Sequence, residues 1–81
     1  MTQKQMVMAF SRMGIPSRMF WLGAAEKAEG VNGMTYDGNR WIVYYRDCGQ
    51  MLNVKECDTH SQACDELFCR VMASRRTALA G

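Results

Sequence analysis

The side chains with the greatest chemical reach in this chain are four cysteines, Cys48, Cys57, Cys64 and Cys69, and a single histidine, His60. Cys57, His60 and Cys64 follow a C-x2-H-x3-C spacing. On a helix His60 and Cys64 share a face, as two ligands of a tetrahedral zinc must, and Cys48 is the candidate fourth ligand. The same His60 beside Cys57 or Cys64 would form a thiol–imidazole dyad, which can activate a thiol as a nucleophile. Against both stands the position of Cys64 on an apolar stripe, where a free cysteine behaves as a small hydrophobe. The C-x2-C knuckle that supplies two metal ligands from one turn is also missing. The expectation is therefore no metal and no cofactor. With Cys64 and Cys69 five apart on one helix, angled away from each other, and no secretory leader, reduced thiols are expected rather than two disulfides. Glu26 and Glu29 are the one carboxylate pair placed for acid–base work, in a loop where solvated carboxylates are common. The sequence holds no G-x-S-x-G, no glycine-rich phosphate loop and no H-E-x-x-H. A binding protein is expected, not an enzyme.

The elements that position these residues can be read from local signals. Thr2 and Gln5 form a capping-box pattern, and Met6, Phe10 and Met13 recur at helical spacing with Ala9 beside them. Gly14 suits a left-handed cap, Ile15 its hydrophobic contact, and Pro16 bars continuation, so a helix is expected at about 3–13. Residues 17–22 suggest a short first strand and residues 23–30 a loop. From Val31 the period becomes two. Asp37-Gly38-Asn39 and Asp47-Cys48-Gly49-Gln50 mark two hairpin turns between strands ending at Tyr36, running over Arg40–Arg46 and spanning Met51–Cys57.

With Cys48-Gly49 as a two-residue loop, Tyr45 faces Leu52 and Val43 faces Val54. One sheet face then carries Met34, Tyr36, Trp41, Val43, Tyr45, Leu52 and Val54 as core. The other carries Thr35, Ile42, Tyr44, Arg46, Met51, Asn53 and Lys55. Thr59 and Gln62 form a second capping box, and Ala63, Cys64, Leu67, Phe68, Val71 and Met72 make the apolar stripe of a final helix. Its end, about 77–81, is expected to fray. The order is α-(β)-β-β-β-α: a two-layer α+β domain with an antiparallel three- to four-stranded sheet and both terminal helices on one face.

Length and charge narrow the function. Eighty-one residues bury only about 60–65% of the unfolded surface, enough for one domain and one core. With 48% hydrophobic and 22% charged residues the composition is that of a folded globule rather than a disordered chain. No apolar run is long enough to span a bilayer and no secretory leader is evident, so a cytoplasmic location is expected. Ten Lys+Arg against eight Asp+Glu give a net charge of +2, too mild to indicate nucleic acid. Of the eight methionines, Met6, Met13, Met34 and Met72 read as core filler, while Met51 lies on the other sheet face, where methionine suits an adaptable interface.

The α-β-β-β-α order invites comparison with double-stranded-RNA-binding domains, which touch phosphates from the start of the last helix. Here that start carries Asp58, Asp65 and Glu66, whose charge opposes phosphate. A nucleic-acid-binding or regulatory module of that shape is the alternative reading, and a metal-stabilised thiol domain a third.

Gly14-Ile15-Pro16 after a first helix, Trp41-Ile42-Val43-Tyr44-Tyr45 followed by Gly49, and Cys57-Asp58-Thr59 leading into Ala63-Cys64 together resemble a family of small bacterial immunity proteins. These are encoded beside contact-dependent or related polymorphic toxins. The resemblance covers about residues 12–72. It departs at Cys48, where the family usually has arginine, at Cys57, usually phenylalanine, and at His60 and Gln62, where acidic residues are common. The resemblance implies a cytoplasmic protein whose partner is a cognate toxin domain, neutralised by binding. Two sets of residues are candidates for that contact: Ile42, Tyr44, Arg46, Met51 and Lys55 on the open sheet face, and the loop carboxylates Glu26, Glu29, Asp37 and Asp47. A homodimer is the competing use of the open face.

Overall fold

Both expected caps form. Thr2 Oγ1 accepts from the Gln5 amide at 3.1 Å while Gln5 Oε1 accepts from the Thr2 amide at 2.9 Å, and helix α1 runs over Gln3–Arg12. It ends where Gly14 turns left-handed at φ 71°. There the Ile15 amide reaches back to the Phe10 carbonyl at 2.9 Å and the Gly14 amide to that of Ser11 at 3.1 Å, the paired bonds of a Schellman cap. At the other end of the chain Gln62 Oε1 accepts from the Asp58 and Thr59 amides and the Gln62 amide donates to Thr59 Oγ1. Helix α2 follows over His60–Ala80.

The computed structural model describes the backbone of residues 1–80 and the side chains of 1–24 and 26–75. The expected fraying of 77–81 concerns side chains, and at Gly81 the backbone, outside the described residues.

Between the helices lie four strands in the order of the sequence: β1 Phe20–Leu22, β2 Val31–Tyr36, β3 Trp41–Asp47 and β4 Gln50–Cys57. The last three form the expected antiparallel meander. Its second turn has the paired positive φ of a type I′ hairpin, 51° at Cys48 and 77° at Gly49. β1 joins as an edge strand and runs parallel to β2, so the sheet is mixed. A parallel neighbour requires a crossover. Residues 23–30, with a 3₁₀ turn at Ala25–Lys27, supply it.

One cluster joins the layers. Met6 and Phe10 of α1, Met34 and Val43 of the sheet and Ala63, Cys64, Leu67 and Val71 of α2 are all buried within it. Both helices therefore cover the same sheet face. Phe10 is the pivot, stacked on Phe68 at 5.5 Å and tilted against Phe20 at 4.7 Å. Complete burial of such a side chain stabilises by about 1.5–3 kcal/mol. Among the methionines, Met6 and Met34 are buried, and Met13 and Met72 pack at the cluster's margin. No helix among the described residues is long and apolar enough to cross a membrane.

One register expectation fails. Tyr45 does face Leu52, but Val43 faces Lys55 rather than Val54. A β-bulge opposite Tyr44 inserts one residue into β4, and Asn53 takes a positive φ of 52° to accommodate it. The bulge reverses the sides of the two residues that follow. Lys55 lies on the helix side, its Nζ 3.1 Å from Glu66 Oε1, and Val54 moves to the outer face, half exposed. Tyr36 and Leu52, expected in the core, are also exposed, because the helices do not extend over them.

Candidate interaction surface

The outer face of the sheet is built from residues that the pleat directs away from the helices. From β1 and β2 come Trp21 and Gly33, which are register partners, and from β3 come Ile42, Tyr44 and Arg46. The crossover passes over this face and covers its middle. Tyr44 is 0% exposed and its hydroxyl donates to the Gly23 carbonyl at 3.3 Å. Burial raises its pKa above the ordinary value, with a further upward push from the Glu26 charge opposed by Arg46. The strap is stitched at each end. The Gly23 amide donates to the Met34 carbonyl at 3.1 Å, the Gly30 amide to that of Arg46 at 2.7 Å, and Trp21 Nε1 to that of Ala24 at 2.9 Å.

Gly33 makes this arrangement possible. A Cβ at that position would stand 2.7 Å from Tyr44 Oη and 2.9 Å from the Trp21 carbonyl oxygen. A glycine inside a strand often marks such a close approach. It is the one sequence signal that could have foretold the burial of Tyr44. As a contact residue for a partner Tyr44 is therefore corrected: its side chain is interior. Lys55 is corrected too, since it belongs to the opposite face.

What stays open is a strip along β3 and β4. Arg46 and Met51 are register partners, as are Ile42 and Glu56, and Val54 lies between them, 50% exposed. Arg46, Met51 and Ile42 are half-buried. Arg46 Nε is buried with no hydrogen-bond partner among the described residues, a situation that costs about 1–3 kcal/mol.

The loop carboxylates divide between the two ends of the sheet. Asp37 lies at the β2–β3 turn, where its Oδ1 accepts from the Arg40 amide at 2.7 Å and the Asn39 amide at 2.8 Å. Those bonds, Arg40's first, hold its pKa below the usual carboxylate value. Glu26, Glu29 and Asp47 lie toward the other end. There Glu29 Oε1 accepts from the Cys48 amide at 2.8 Å. Ligand-type atoms of Glu29, Asp47 and Cys48 all lie within 4.8 Å of one another, and all three residues are exposed. Neither carboxylate has an ion pair among the described residues. Their charge raises the pKa of the Cys48 thiol, Asp47 foremost.

The C-x2-H-x3-C set does not converge. Cys57 ends β4, His60 opens α2, and Cys48 sits in the turn at the far end of the sheet. Only Cys64 approaches His60, with Sγ 3.8 Å from Nε2, and the imidazole instead packs on Trp41 at 4.4 Å. All four cysteines are free thiols, with Cys57 and Cys64 buried. Burial raises the pKa of both, which disfavours the thiolate that a nucleophile or a metal ligand requires. Of the two loop glutamates, Glu29 is engaged with the Cys48 amide and gathers with Asp47 and Cys48.

No family model, curated protein or solved structure matches this chain. The functional reading therefore rests on the surface itself. That surface is a small half-apolar strip on one sheet face, continuous through Arg46 and Met51 with a tip where two carboxylates meet.

Proposed function

We propose that this protein is a cytoplasmic immunity-type inhibitor that binds a cognate bacterial toxin domain and occludes its active site. The observation that carries the reading is the tip: Glu29 and Asp47 lie together, exposed and without an ion pair among the described residues. Like charges at such separation repel, and a basic partner surface relieves that repulsion while gaining long-range attraction. The adjoining strip of Met51, Val54 and Ile42 supplies the apolar area that an interface needs at its centre. A standard interface buries about 800 Å² per partner, roughly one-sixth of the 5163 Å² that this chain exposes. Neutralisation by coverage needs no catalytic group on the inhibitor.

Co-expression with the product of a neighbouring reading frame tests the proposal. The expected result is rescue of growth from a toxic neighbour and co-elution of the two chains on a sizing column. The charge-reversed variant Glu29→Lys/Asp47→Lys is expected to lose both while staying folded, its melting temperature lowered only by the loss of the bond from the Cys48 amide. A non-toxic neighbour with no complex, or rescue undiminished by the reversal, overturns the proposal. The nucleic-acid alternative predicts salt-sensitive binding to duplex RNA, which the same purified chain is expected to lack.

A further inference from the structure

The helix-covered face of the sheet is open beneath the C-terminal half of α2, where a cleft of about 530 Å³ is lined by Asn32, Tyr45, Asn53, Arg70 and Ser74 among others, none of them acidic. Three adjacent strands and one helix contribute to it. Asn32 and Tyr45 are direct cross-strand partners. Asn53 arrives by a different route: it occupies the β4 bulge at φ 52°. Asparagine is among the few residue types other than glycine that enter that region readily, and bulges recur where a side chain is re-aimed at a site.

The charge of the cleft is set nearby. Glu66 accepts from Lys55 Nζ at 3.1 Å and from Arg70 Nε at 2.9 Å. One carboxylate between two cations leaves a single positive charge in excess. Arg70 still has an unused donor, because its Nη1 is buried with no partner among the described residues. The neutral groups are donors as well, and the contact that Asn32 Nδ2 makes to Ser74 Oγ is long, at 3.4 Å.

From these features we propose that the cleft is a carboxylate-binding site. The two oxygens of a carboxylate match the planar fork of a guanidinium. A small turn of the Arg70 head presents Nη1 to them, while the carboxamides of Asn32 and Asn53 and the hydroxyls of Tyr45 and Ser74 donate to the remaining lone pairs. The single excess charge selects a monoanion. A phosphate monoester brings nearly two negative charges and three strong acceptors, for which the lining holds no second cation among the described residues. The site lies on the opposite side of the sheet from the strip of Ile42, Val54 and Met51, so it stands or falls independently of the toxin-binding reading.

The test is a titration of the ¹⁵N-labelled full chain with sodium acetate at constant ionic strength, with phosphate and chloride as parallel arms. Saturable shifts are expected at the side-chain amides of Asn32 and Asn53 and at Arg70 Nε–H, with acetate binding more tightly than phosphate. Arg70→Gln is expected to weaken acetate by about tenfold or more, as loss of a charge partner does. Asn53→Gly keeps the left-handed bulge and removes only the carboxamide. It is expected to weaken binding by about two- to tenfold, the share of one hydrogen bond, and so serves if Arg70→Gln does not fold. A peptide with a free C-terminal carboxylate, compared with its amidated form and with succinate, shows whether a chain end or a small acid is preferred; either preference supports a carboxylate site. Linear shifts equal for acetate, phosphate and chloride overturn the proposal. So does tighter binding of phosphate, or acetate binding unchanged in the folded variants.

Discussion

Replacing Gly33 with alanine tests the central packing claim, that Tyr44 lies across β2 beneath the crossover. The added methyl carbon would stand 2.7 Å from Tyr44 Oη, 2.8 Å from Tyr44 Cζ and 2.9 Å from the Trp21 carbonyl oxygen. The tyrosine ring has nowhere to swing, being 0% exposed, and the third atom is backbone in a paired strand. Overpacking costs about 1–3 kcal/mol, and the involvement of a main-chain atom places Gly33→Ala in the upper half of that range. An 81-residue chain has a total stability of about 4–12 kcal/mol. A loss of about 2–3 kcal/mol therefore lowers the melting temperature by roughly 10–20 °C, readable by circular dichroism. Tyr44→Phe alone gives up a long hydrogen bond, about 0.5–1 kcal/mol. It also removes the nearest clashing atom, so Gly33→Ala costs less in the Tyr44→Phe background, and a double-mutant cycle reports that coupling. A Gly33→Ala protein that melts within about 2 °C of the parent, less than a 1 kcal/mol change produces in so small a domain, would falsify the placement of Tyr44.

Four further outcomes are expected. Cys48→Asn relieves a left-handed cysteine at the first position of a type I′ turn and is expected to stabilise by about 0.5–1 kcal/mol in chemical denaturation. Thr59→Ala removes the hydroxyl that accepts from the Gln62 amide and costs about 1 kcal/mol by the same assay. The pKa of Glu66 is lowered by its bond from Arg70 and then by Lys55, against desolvation. A lowered folded-state pKa stabilises above the ordinary value and loses that contribution as pH falls through the folded one, so Glu66→Gln is expected to flatten the stability profile below about pH 4.5. A thiol-reactive dye is expected to label Cys48 and Cys69 in the native protein and all four cysteines after denaturation, since Cys57 and Cys64 are buried. Faster native labelling of Cys64 than of Cys69 would contradict the packing of α2.

The parts of the structure that were legible in the sequence are those fixed within a few residues. Thr2–Gln5 and Thr59–Gln62 satisfy their own helix ends, Gly14 and Ile15 close α1 onto it, and Cys48-Gly49 sets the hairpin register by backbone chirality. What was not legible depends on partners distant in the chain. Asparagine suits the left-handed bulge at position 53, but nothing nearby in the sequence announces that bulge, which moves Lys55 to the helices and Val54 to the outer face. The direction of β1 is set by how residues 23–30 return to the sheet, and the same return buries Tyr44. Ile42, Arg46 and Met51 accordingly keep some exposure on the outer sheet face, as the alternation predicts, whereas Tyr44 between them is covered by the crossover. Glu29 and Asp47, far apart in sequence, meet only because the crossover delivers one beside the hairpin that carries the other.

The two margins of the sheet have a consequence for behaviour in a crowded solution. β1 is only three residues long, too short to template a neighbouring strand. β4 is longer, but its ladder is interrupted opposite Tyr44 and it carries Lys55 beyond the interruption. Short edges, bulges and lysine are the devices by which sheets resist edge-to-edge growth. These features disfavour fibril seeding through the sheet, and they equally disfavour a partner that would add a strand to it.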